Sequence, residues 1–344
     1  MKYVALLGFG LLAASAKADL QVMDDSQLAD ATGEGLGLVI EDFVFNSDSA
    51  VLTVSEINDA SGNPVEIGWS ELYIMGEGSQ NGTVETPVDI GNYFNPWTIS
   101  SQRGTADWSA GGEAVHSGEY AAIGDDLALL EFATSDYESP AQDTVSYVTD
   151  CVMGAASDCA TRTAQRRSGA DVGSRFRFAF ASGREDVLDI DIRGMYVDGT
   201  HLRLWSSPDE NGQSELSGNL RLALFAEELN IDVCNGVCNN TTSVLNIDNL
   251  LLDLNIGYGE IQPVKFSATS DGNFVLELTA PDPTPLGIDT TDSVAMQQFY
   301  DDYYANAPKS NIYIGNIQVG QNTVGETIVN GFRAQYFKIT SMDL

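Results

Sequence analysis

The sequence predicts a mostly β protein in which antiparallel sheets form a sandwich or an elongated, curled sheet, with a few short helices. Three observations support this fold class. Apolar and polar residues alternate over many short stretches, clusters of Gly, Asn, Asp and Pro separate them, and 43% of the residues are hydrophobic. Strands with one apolar and one polar face are typical of antiparallel sheets that have a solvated side.

The first eighteen residues, MKYVALLGFGLLAASAKA, predict export. Lys2 precedes an apolar run from Tyr3 to Ala14, and residues 16–18 (Ala-Lys-Ala) match the small-x-small pattern that signal peptidase accepts. The apolar run is shorter than the roughly 20 residues that a membrane-spanning helix needs. We therefore predict a signal peptide over residues 1–18 and no transmembrane segment after its removal, with a retained anchor helix as the alternative.

The chain is strongly acidic, with a formal net charge of −34 at pH 7. A surface this negative repels nucleic acid and anionic lipid, and it favours solubility and the attraction of cations. We therefore predict no nucleic-acid partner. The chain of 344 residues is long enough to bury a substantial core in one large domain or two.

Residues 19–37 form an acidic N-terminal tag that ends in closely spaced glycines. Asp or Ser residues at 24–26 can cap a short helix, and Gly33 can end it. The glycines then form a hinge before a first strand predicted from Leu38 to Phe45. The hinge allows this strand to pair within its own sheet or to add to the sheet edge of a neighbouring subunit.

Alternation runs through two β regions, residues 38–140 and 172–344, which flank a segment that lacks it. In the second region, Asp198-Gly199 predicts a hairpin turn between two strands. The intervening segment, residues 141–171, is interpreted as an insertion and as the most plausible boundary between the two regions. Alternating apolar residues in the second region include Phe176, Phe178, Leu188, Ile190, Ile192, Leu220, Leu222 and Leu224.

The four cysteines predict disulfides, because the count is even and the chain is expected in an oxidising compartment. Three connectivities are possible, and local pairing of Cys151 with Cys159 and of Cys234 with Cys238 is the simplest. A zinc site is the alternative, although the two histidines are isolated in the sequence.

Arginines concentrate in and just after the insertion. We expect them to pair with surrounding carboxylates, and a docking patch for an acidic partner or a protease-sensitive loop is the alternative. The residues are Arg162, Arg166, Arg167, Arg175 and Arg177.

Residues 292–307 form the best helix candidate, with Asp292 or Ser293 as the cap and Pro308 at the end. Its aromatic side is expected to pack on a sheet. Oxygen ligands just before it, Asp282, Asp289 and Asp292, suit a structural calcium ion, although the EF-hand spacing is absent. We therefore predict no cofactor except a possible structural calcium.

Catalytic motifs are not apparent in the sequence. The G-x-S-x-G turn of serine hydrolases is absent, and close carboxylate pairs are uninformative in a chain with 50 acidic residues. We therefore predict a non-enzymatic protein, with a secreted hydrolase as a less favoured reading. Aromatic residues that can stack on sugars support an alternative role as a secreted adhesin or carbohydrate-binding β protein: Tyr93, Phe94, Trp97 and Trp205.

The two ends of the chain carry a family resemblance. The tag MDDSQLADATGEG resembles the start of the FilA-like pilus-system protein family of Gram-negative bacteria, with Glu34 where glutamine is more usual. The matching tag residues are Asp25, Leu28, Thr32, Gly33 and Gly35. The C-terminal strand is also similar, with Gln335, Tyr336, Lys338 and Ile339 in the corresponding positions.

This resemblance implies an exported structural or accessory protein of a pilus, filament or other cell-surface system, without a catalytic residue set. It also implies partners among the proteins of that system, or further copies of the chain itself. The implied location is the periplasm, the outer surface or the extracellular space of a Gram-negative bacterium.

Overall fold

The computed structural model describes residues 35–341 apart from 60, 104–127, 138, 140, 209–213, 237–243 and 270–271. Gly35–Leu344 forms one compact unit. The predicted signal peptide and all tag residues before Gly35 lie outside the described residues.

Strands dominate the described chain. Before the helical segment they are β1 (Leu36–Leu38), β2 (Ile40–Phe43), β3 (Phe45–Asn46), β4 (Leu52–Asn58), β5 (Pro64–Gly76), β6 (Val88–Ile90), β7 (Trp97–Arg103) and β8 (Ala128–Ala133). After it they are β9 (Ala170–Phe180), β10 (Glu185–Tyr196), β11 (His201–Pro208), β12 (Ser214–Asn235), β13 (Leu245–Ile256), β14 (Val264–Ala268), β15 (Phe274–Leu278), β16 (Ser310–Val319), β17 (Asn322–Phe332) and β18 (Phe337–Thr340).

The helices are short. The predicted insertion contains α1 (Thr144–Tyr147), a π-helix (Val148–Val152) and α2 (Cys159–Gln165), and a 3-10 turn (Thr284–Leu286) precedes α3 (Ser293–Asn306). Asp292 caps α3 by accepting hydrogen bonds from the backbone N–H groups of Val294 and Ala295, which confirms the predicted helix. The predicted mostly β, antiparallel fold class is likewise confirmed, since every pairing between named strands is antiparallel.

β12 holds the sheet together because it is 22 residues long and pairs with two strands along each edge. On one edge, residues 214–221 pair with β11 and residues 225–235 pair with β10. On the other edge, residues 216–218 pair with β14 and residues 220–231 pair with β13. The resulting 16-stranded sheet therefore consists of two half-sheets that share β12.

The first half-sheet runs in the order β17, β16, β13, β12, β10, β9 and β5, and both β3 and β4 pair with β5. The second half-sheet runs β1, β7, β8, β11, β12, β14, β15 and β18. β2 and β6 form a separate pair. Because β5 pairs with β9 and β8 pairs with β11, strands from before and after the insertion lie side by side.

The predicted hairpin at Asp198-Gly199 is wrong. β10 and β11 both run antiparallel to β12, so they run in the same direction and follow each other along one edge of it. The turn between them bonds to other segments instead. The Gly199 N–H donates to the Ser135 carbonyl (2.9 Å), and the Thr144 hydroxyl donates to the buried Asp198 carboxylate (2.6 Å).

A line of irregular positions crosses β10, β12, β13 and β16. Gly194 lies opposite Glu227, and Asn249 lies between Glu227 and Gly315, as the flanking registers require. Gly194 and Asn249 both have positive φ, of 55° and 54°. Glu227 and Glu228 line the same cavity, which consecutive residues of a regular strand cannot do because they point to opposite sides.

This line keeps one side of the sheet apolar along its whole length. On both sides of the line, apolar residues face each other across strands, as in the rows Leu224–Leu252–Ile312 and Ile190–Ile231–Leu245. We call this side the apolar face. Its central side chains are Leu202, Leu204, Leu220, Leu222, Leu224, Leu250, Leu252, Leu254, Ile256, Ile312, Ile314, Ile190, Ile192, Leu229, Ile231, Leu245, Ile247 and Ile317.

The opposite side, the polar face, is covered by the insertion. Val148 of the π-helix packs on Tyr196, Phe225, Leu251 and Tyr313, which form one row across β10, β12, β13 and β16. Elsewhere, Phe299 and Tyr303 of α3 pack on Tyr258 and Ile261 in the segment between β13 and β14. The helix therefore packs on this connection, where packing on a sheet was expected.

Substitution of Phe225 tests this packing, because the side chain is 1% exposed and lies in the middle of the row beneath the insertion. Phe225→Ala is expected to lower the free energy of unfolding by about 3–5 kcal/mol, because it removes the ring and leaves a cavity. Urea denaturation measures the change. Val294→Ala, at a position 74% exposed on α3, is the control and should stay within about 0.5 kcal/mol of the wild type. Equal effects of the two substitutions would contradict the packing.

Candidate functional site

A cavity of about 560 Å³ opens on the polar face beside the line of irregular positions. The loop after β5 supplies Glu77, β9 supplies Asp171, and β10 and β12 supply Arg193 and Glu227. The charged residues of its lining are mostly acidic, with Glu228 and Asp248 completing the set of carboxylates. This cavity is the candidate functional site because charged side chains from several strands converge on it.

Asp171 fixes the shape of the cavity. Its buried carboxylate accepts hydrogen bonds from the backbone N–H groups of Gly78 (3.1 Å), Ser79 (3.0 Å) and Gly194 (3.0 Å) and from the Ser79 hydroxyl (3.0 Å). These bonds tie the loop after β5 to the irregular position in β10. Its carboxylate is therefore committed to holding the backbone.

Among the other charged side chains that line the cavity, carboxylates outnumber positive groups. Arg193 donates to the Glu228 carboxylate (3.0 Å) and to the Asn81 side-chain oxygen (2.7 Å). Burial raises the pKa of the Glu227 carboxyl above its usual range, and the charge of Glu77 adds to the effect. With one arginine against several carboxylates, the cavity favours cationic groups over anionic ones.

Beyond the cavity, Tyr73 of β5 donates a hydrogen bond of 2.8 Å to Asp191 of β10. Burial raises the pKa of the Asp191 carboxyl; the hydrogen bond from Tyr73 and the charge of Arg193 oppose this rise, and Asp189 adds to it. Burial, and then the charge of Asp191, raise the pKa of the Tyr73 hydroxyl well above its usual range. The pair is therefore a hydrogen bond between strands in which burial disfavours the ionised carboxyl and the Tyr73 hydrogen bond only partly offsets that cost.

The arginines of the insertion and β9 mostly pair with carboxylates, as expected. Arg175 binds Asp189 through two bonds of 2.6 and 2.7 Å and also contacts Glu71, and Arg177 contacts Glu66 (3.0 Å) and Glu185 (3.2 Å). Further pairs are Arg162 with Asp150 and Asp158, and Arg167 with Asp198.

Arg166 differs from the other four. Its guanidinium lies 4.0 Å from the ring centroid of Tyr147 and 4.2 Å from that of Tyr196, so it is held between two aromatic rings. This arrangement attaches the insertion to the sheet. The sequence did not predict it, because Tyr196 is remote in sequence from Arg166 and only the fold brings the two together.

Deeper on the polar face, charged groups are buried in pairs. Arg203 of β11 contacts Glu131 of β8 (2.5 Å), and Arg221 of β12 contacts Asp253 of β13 (3.1 Å). Burial, followed by repulsion from Arg221, lowers the pKa of Arg203 to about 9. Such pairs add little net stability but leave an uncompensated buried charge if one partner is removed.

The predicted Cys151–Cys159 disulfide is present and links the π-helix to α2. Cys234 is also disulfide-bonded, and Cys238, its predicted partner, lies outside the described residues. The bonded pair within the insertion connects neighbouring helical turns, and it does not cross the core.

The three predicted calcium ligands are exposed and serve local turns. Asp282 accepts from the Thr284 N–H, Asp289 accepts from the Thr291 N–H and hydroxyl, and Asp292 caps α3. Within the described part of the chain, the structure contains no group of three or more His, Cys, Asp or Glu side chains arranged to hold a metal ion. Calcium at these residues stays a prediction.

The candidate sugar-stacking aromatics fall into two groups. Tyr93 and Phe94 are 85% and 86% exposed and touch each other edge to face. Asn92 holds their turn by accepting from the Phe94 and Asn95 N–H groups (both 2.9 Å). Trp97 is partly buried, and Trp205 is buried, so Trp205 offers no exposed ring on which a sugar could stack.

The segment predicted as one strand from Leu38 to Phe45 is divided among three pairings. β1 pairs with β7, β2 with β6 and β3 with β5, so the segment pairs within the fold. Asp42 has a φ of 54°, which interrupts the extended backbone inside β2, between its paired residues Ile40 and Phe43. Each pairing is only a few residues long, and Leu36 remains 66% exposed.

No protein-family model, curated protein or solved structure was found to match the chain. Across the described residues, none of the helices combines the length and apolar character required to cross a membrane.

The Tyr73–Asp191 pair generates a pH prediction. Because the folded-state pKa of Asp191 is raised, the ionised carboxylate disfavours folding at neutral pH, and this cost disappears below the unfolded-state pKa of about 3.9. Asp191→Asn keeps an oxygen acceptor for Tyr73 and removes the charge. The variant should be more stable than the wild type at pH 7, with a difference that shrinks to zero as the pH falls to about 4.

Urea denaturation across this pH range measures the difference. Asp302→Asn, on the exposed surface of α3, is the control and should follow the wild type within about 0.5 kcal/mol at each pH. A variant that is less stable than the wild type at pH 7 would show that the carboxylate form is the stabilising one.

Proposed function

We propose that the chain is an exported, non-catalytic structural or accessory protein of a pilus, filament or other cell-surface system. The N-terminal strand segment is the observation that carries this proposal. β1 consists of three residues that pair with β7 at one edge of the sheet, and it overlaps the end of the predicted tag and hinge, so that Gly37 is paired with Thr98 instead of serving as a hinge. A short, exposed pairing at a sheet edge is one that a neighbouring subunit can replace by strand addition.

The charged side chains of the polar face make structural contacts, and this also supports the proposed function. Asp171 holds backbone N–H groups, Arg193 is paired with Glu228, and Arg175 is paired with Asp189. General acid–base or nucleophilic chemistry needs such groups free to meet a substrate. Side chains committed to the sheet instead contribute to a rigid, durable subunit, and the function needs no cofactor.

The ends of the chain support the same proposal through their resemblance to the FilA-like pilus-system family. The tag from Asp25 to Gly35 and the terminal strand around Tyr336 and Lys338 carry that resemblance. The net charge of −34 suits a protein that stays soluble during export. Its partners are then other proteins of the surface system or further copies of itself.

Removing residues 19–34 tests the role of the tag while leaving β1 intact. In a Gram-negative host, the deletion variant is expected to be exported and folded but absent from the cell surface, because the element that directs assembly is missing. Surface labelling and immunodetection in cell fractions measure display, and circular dichroism of the purified variant checks the β fold. A Gly/Ser segment of equal length in place of residues 19–34 is the control for spacing, and it should also fail. Normal display of the deletion variant would refute the proposal.

The exposed pair Tyr93 and Phe94 supports a second candidate, a secreted adhesin or carbohydrate-binding protein. Two exposed rings on a hydrogen-bonded turn provide flat apolar surfaces on which sugars can stack. If this function is correct, the chain binds glycans on an array and the double substitution Tyr93→Ala, Phe94→Ala abolishes the signal. Val294→Ala, which also removes an exposed apolar side chain, should bind as the wild type. Binding that survives the double substitution would exclude this pair as the site.

A further inference from the structure

Burial on the two sides of the sheet is the reverse of the usual pattern: charged side chains are buried on one side, and apolar side chains are partly exposed on the other. On the polar face, Arg203, Arg221 and Asp253 are buried. On the apolar face, the central leucines and isoleucines of β11, β12, β13 and β16 are only partly buried. A rim of apolar side chains on the same face is 37% to 55% exposed: Leu52, Trp69, Ile99, Phe132, Leu216, Val233, Val319 and Val329.

The apolar face is large enough to form a stable interface. Strands lie about 4.8 Å apart and side chains on one face repeat about every 6.7 Å, so each residue covers roughly 30 Å². The central and rim side chains together therefore cover about 800 Å², which is the area per partner in a protein–protein interface of standard size. An apolar patch of this size on an isolated subunit indicates a binding surface.

A second sheet fits this face better than a lipid surface does. In the described chain, β17 and β18 each pair with a single strand, so both have a free backbone edge. Unpaired backbone groups are not tolerated in hydrocarbon, whereas two sheets stacked face to face leave their edges in water. The net charge of −34 also disfavours approach to anionic lipid headgroups.

The charge distribution permits two copies to meet on this face. The central and rim residues of the apolar face are uncharged, and the ion pairs Arg175–Asp189, Arg203–Glu131 and Arg221–Asp253 lie on the opposite side of the sheet. Stacked sheets are about 10 Å apart, so the two polar faces would be separated by roughly 20 Å. That distance exceeds the Debye length of about 8 Å at physiological ionic strength, and repulsion between copies is therefore largely screened.

We propose that a second copy of this chain stacks its apolar face on this one, to form a back-to-back pair of sheets with both polar faces outward. The contact is isologous, since the same face is used by both copies. The inference deepens the proposed function, on which it rests, by naming a second copy as the partner. Assembly would then have two contacts: face stacking within a pair, and strand addition between pairs.

Substitutions on the face test the pairing in solution. The full chain, exported and purified, is expected to be a dimer by light scattering coupled to size-exclusion chromatography. Leu252→Lys, at the centre of the face, should weaken dimerisation by about tenfold or more, because a lysine would be buried without a partner. Lysine lowers the net negative charge, so a loss of dimer cannot come from added repulsion between copies. Val329→Lys, on the exposed rim, should have the same direction of effect without affecting the interior of the sheet.

Val294→Lys places the same charge on an exposed position of α3, away from the face, and should remain a dimer. Circular dichroism and cooperative thermal unfolding identify any variant that fails to fold, and Val329→Lys then decides the result. A wild-type monomer at all concentrations, or equal behaviour of Val329→Lys and Val294→Lys, would overturn the inference. A monomer that binds phosphatidylcholine vesicles, and loses this binding in Leu252→Lys, would also overturn it and assign the face to lipid.

This test is independent of the display assay for residues 19–34. A chain that reaches the cell surface as a monomer would overturn the stacking alone. A dimer in solution that is displayed normally without its tag would overturn the proposed function and leave the stacking intact.

Discussion

Hydrogen bonding along both edges of β12 is the constraint on which the rest of the structure depends. A strand of average length has one partner on each side, whereas the 22 residues of β12 accommodate two on each side. Its N-terminal part joins β11 to β14, and its C-terminal part joins β10 to β13. Every other strand of the 16-stranded sheet pairs directly or indirectly with β12, and the insertion packs over Phe225 of β12 itself.

The line of irregular positions adds a second constraint. If β12 kept strict alternation from Leu224 to Ile231, the apolar residues of its two halves would point to opposite sides of the sheet. The extra residue at Glu227, matched in neighbouring strands by Gly194 and Asn249, restores them to one side. An alanine at position 194 would place its Cβ 2.7 Å from the side chain of Glu227 and would require a strained φ, so glycine suits this position. The same line creates the acidic cavity, since it turns two consecutive glutamates to the polar face.

The sequence was sufficient to predict strands such as β9, β10 and β12, the antiparallel class, the α3 helix and its Asp292 cap, because these depend on local alternation and capping. It was insufficient to predict which face is buried, since the alternation of Leu220, Leu222 and Leu224 is the same whether that face is covered or open. The hairpin at Asp198-Gly199 was wrongly predicted for a related reason. Its residues favour a hairpin, but whether two strands pair is decided by a third strand distant in sequence. The Arg166 contact with Tyr196 likewise needed the fold, while the pairing of Arg175 and Arg177 with carboxylates followed from composition alone.

The position of β12 in the chain also determines when the protein can fold. Strands β1 to β11 precede it. In the described sheet, β10 and β11 belong to different half-sheets, and residues 214–235 of β12 join the two. A chain synthesised from its N-terminus therefore contains many strands before the one that joins them. Pairs of consecutive strands such as β4–β5 and β7–β8 can form early, but the complete sheet can form only after most of the chain has been synthesised. During that interval the high negative charge opposes the association of unpaired strands with those of other chains.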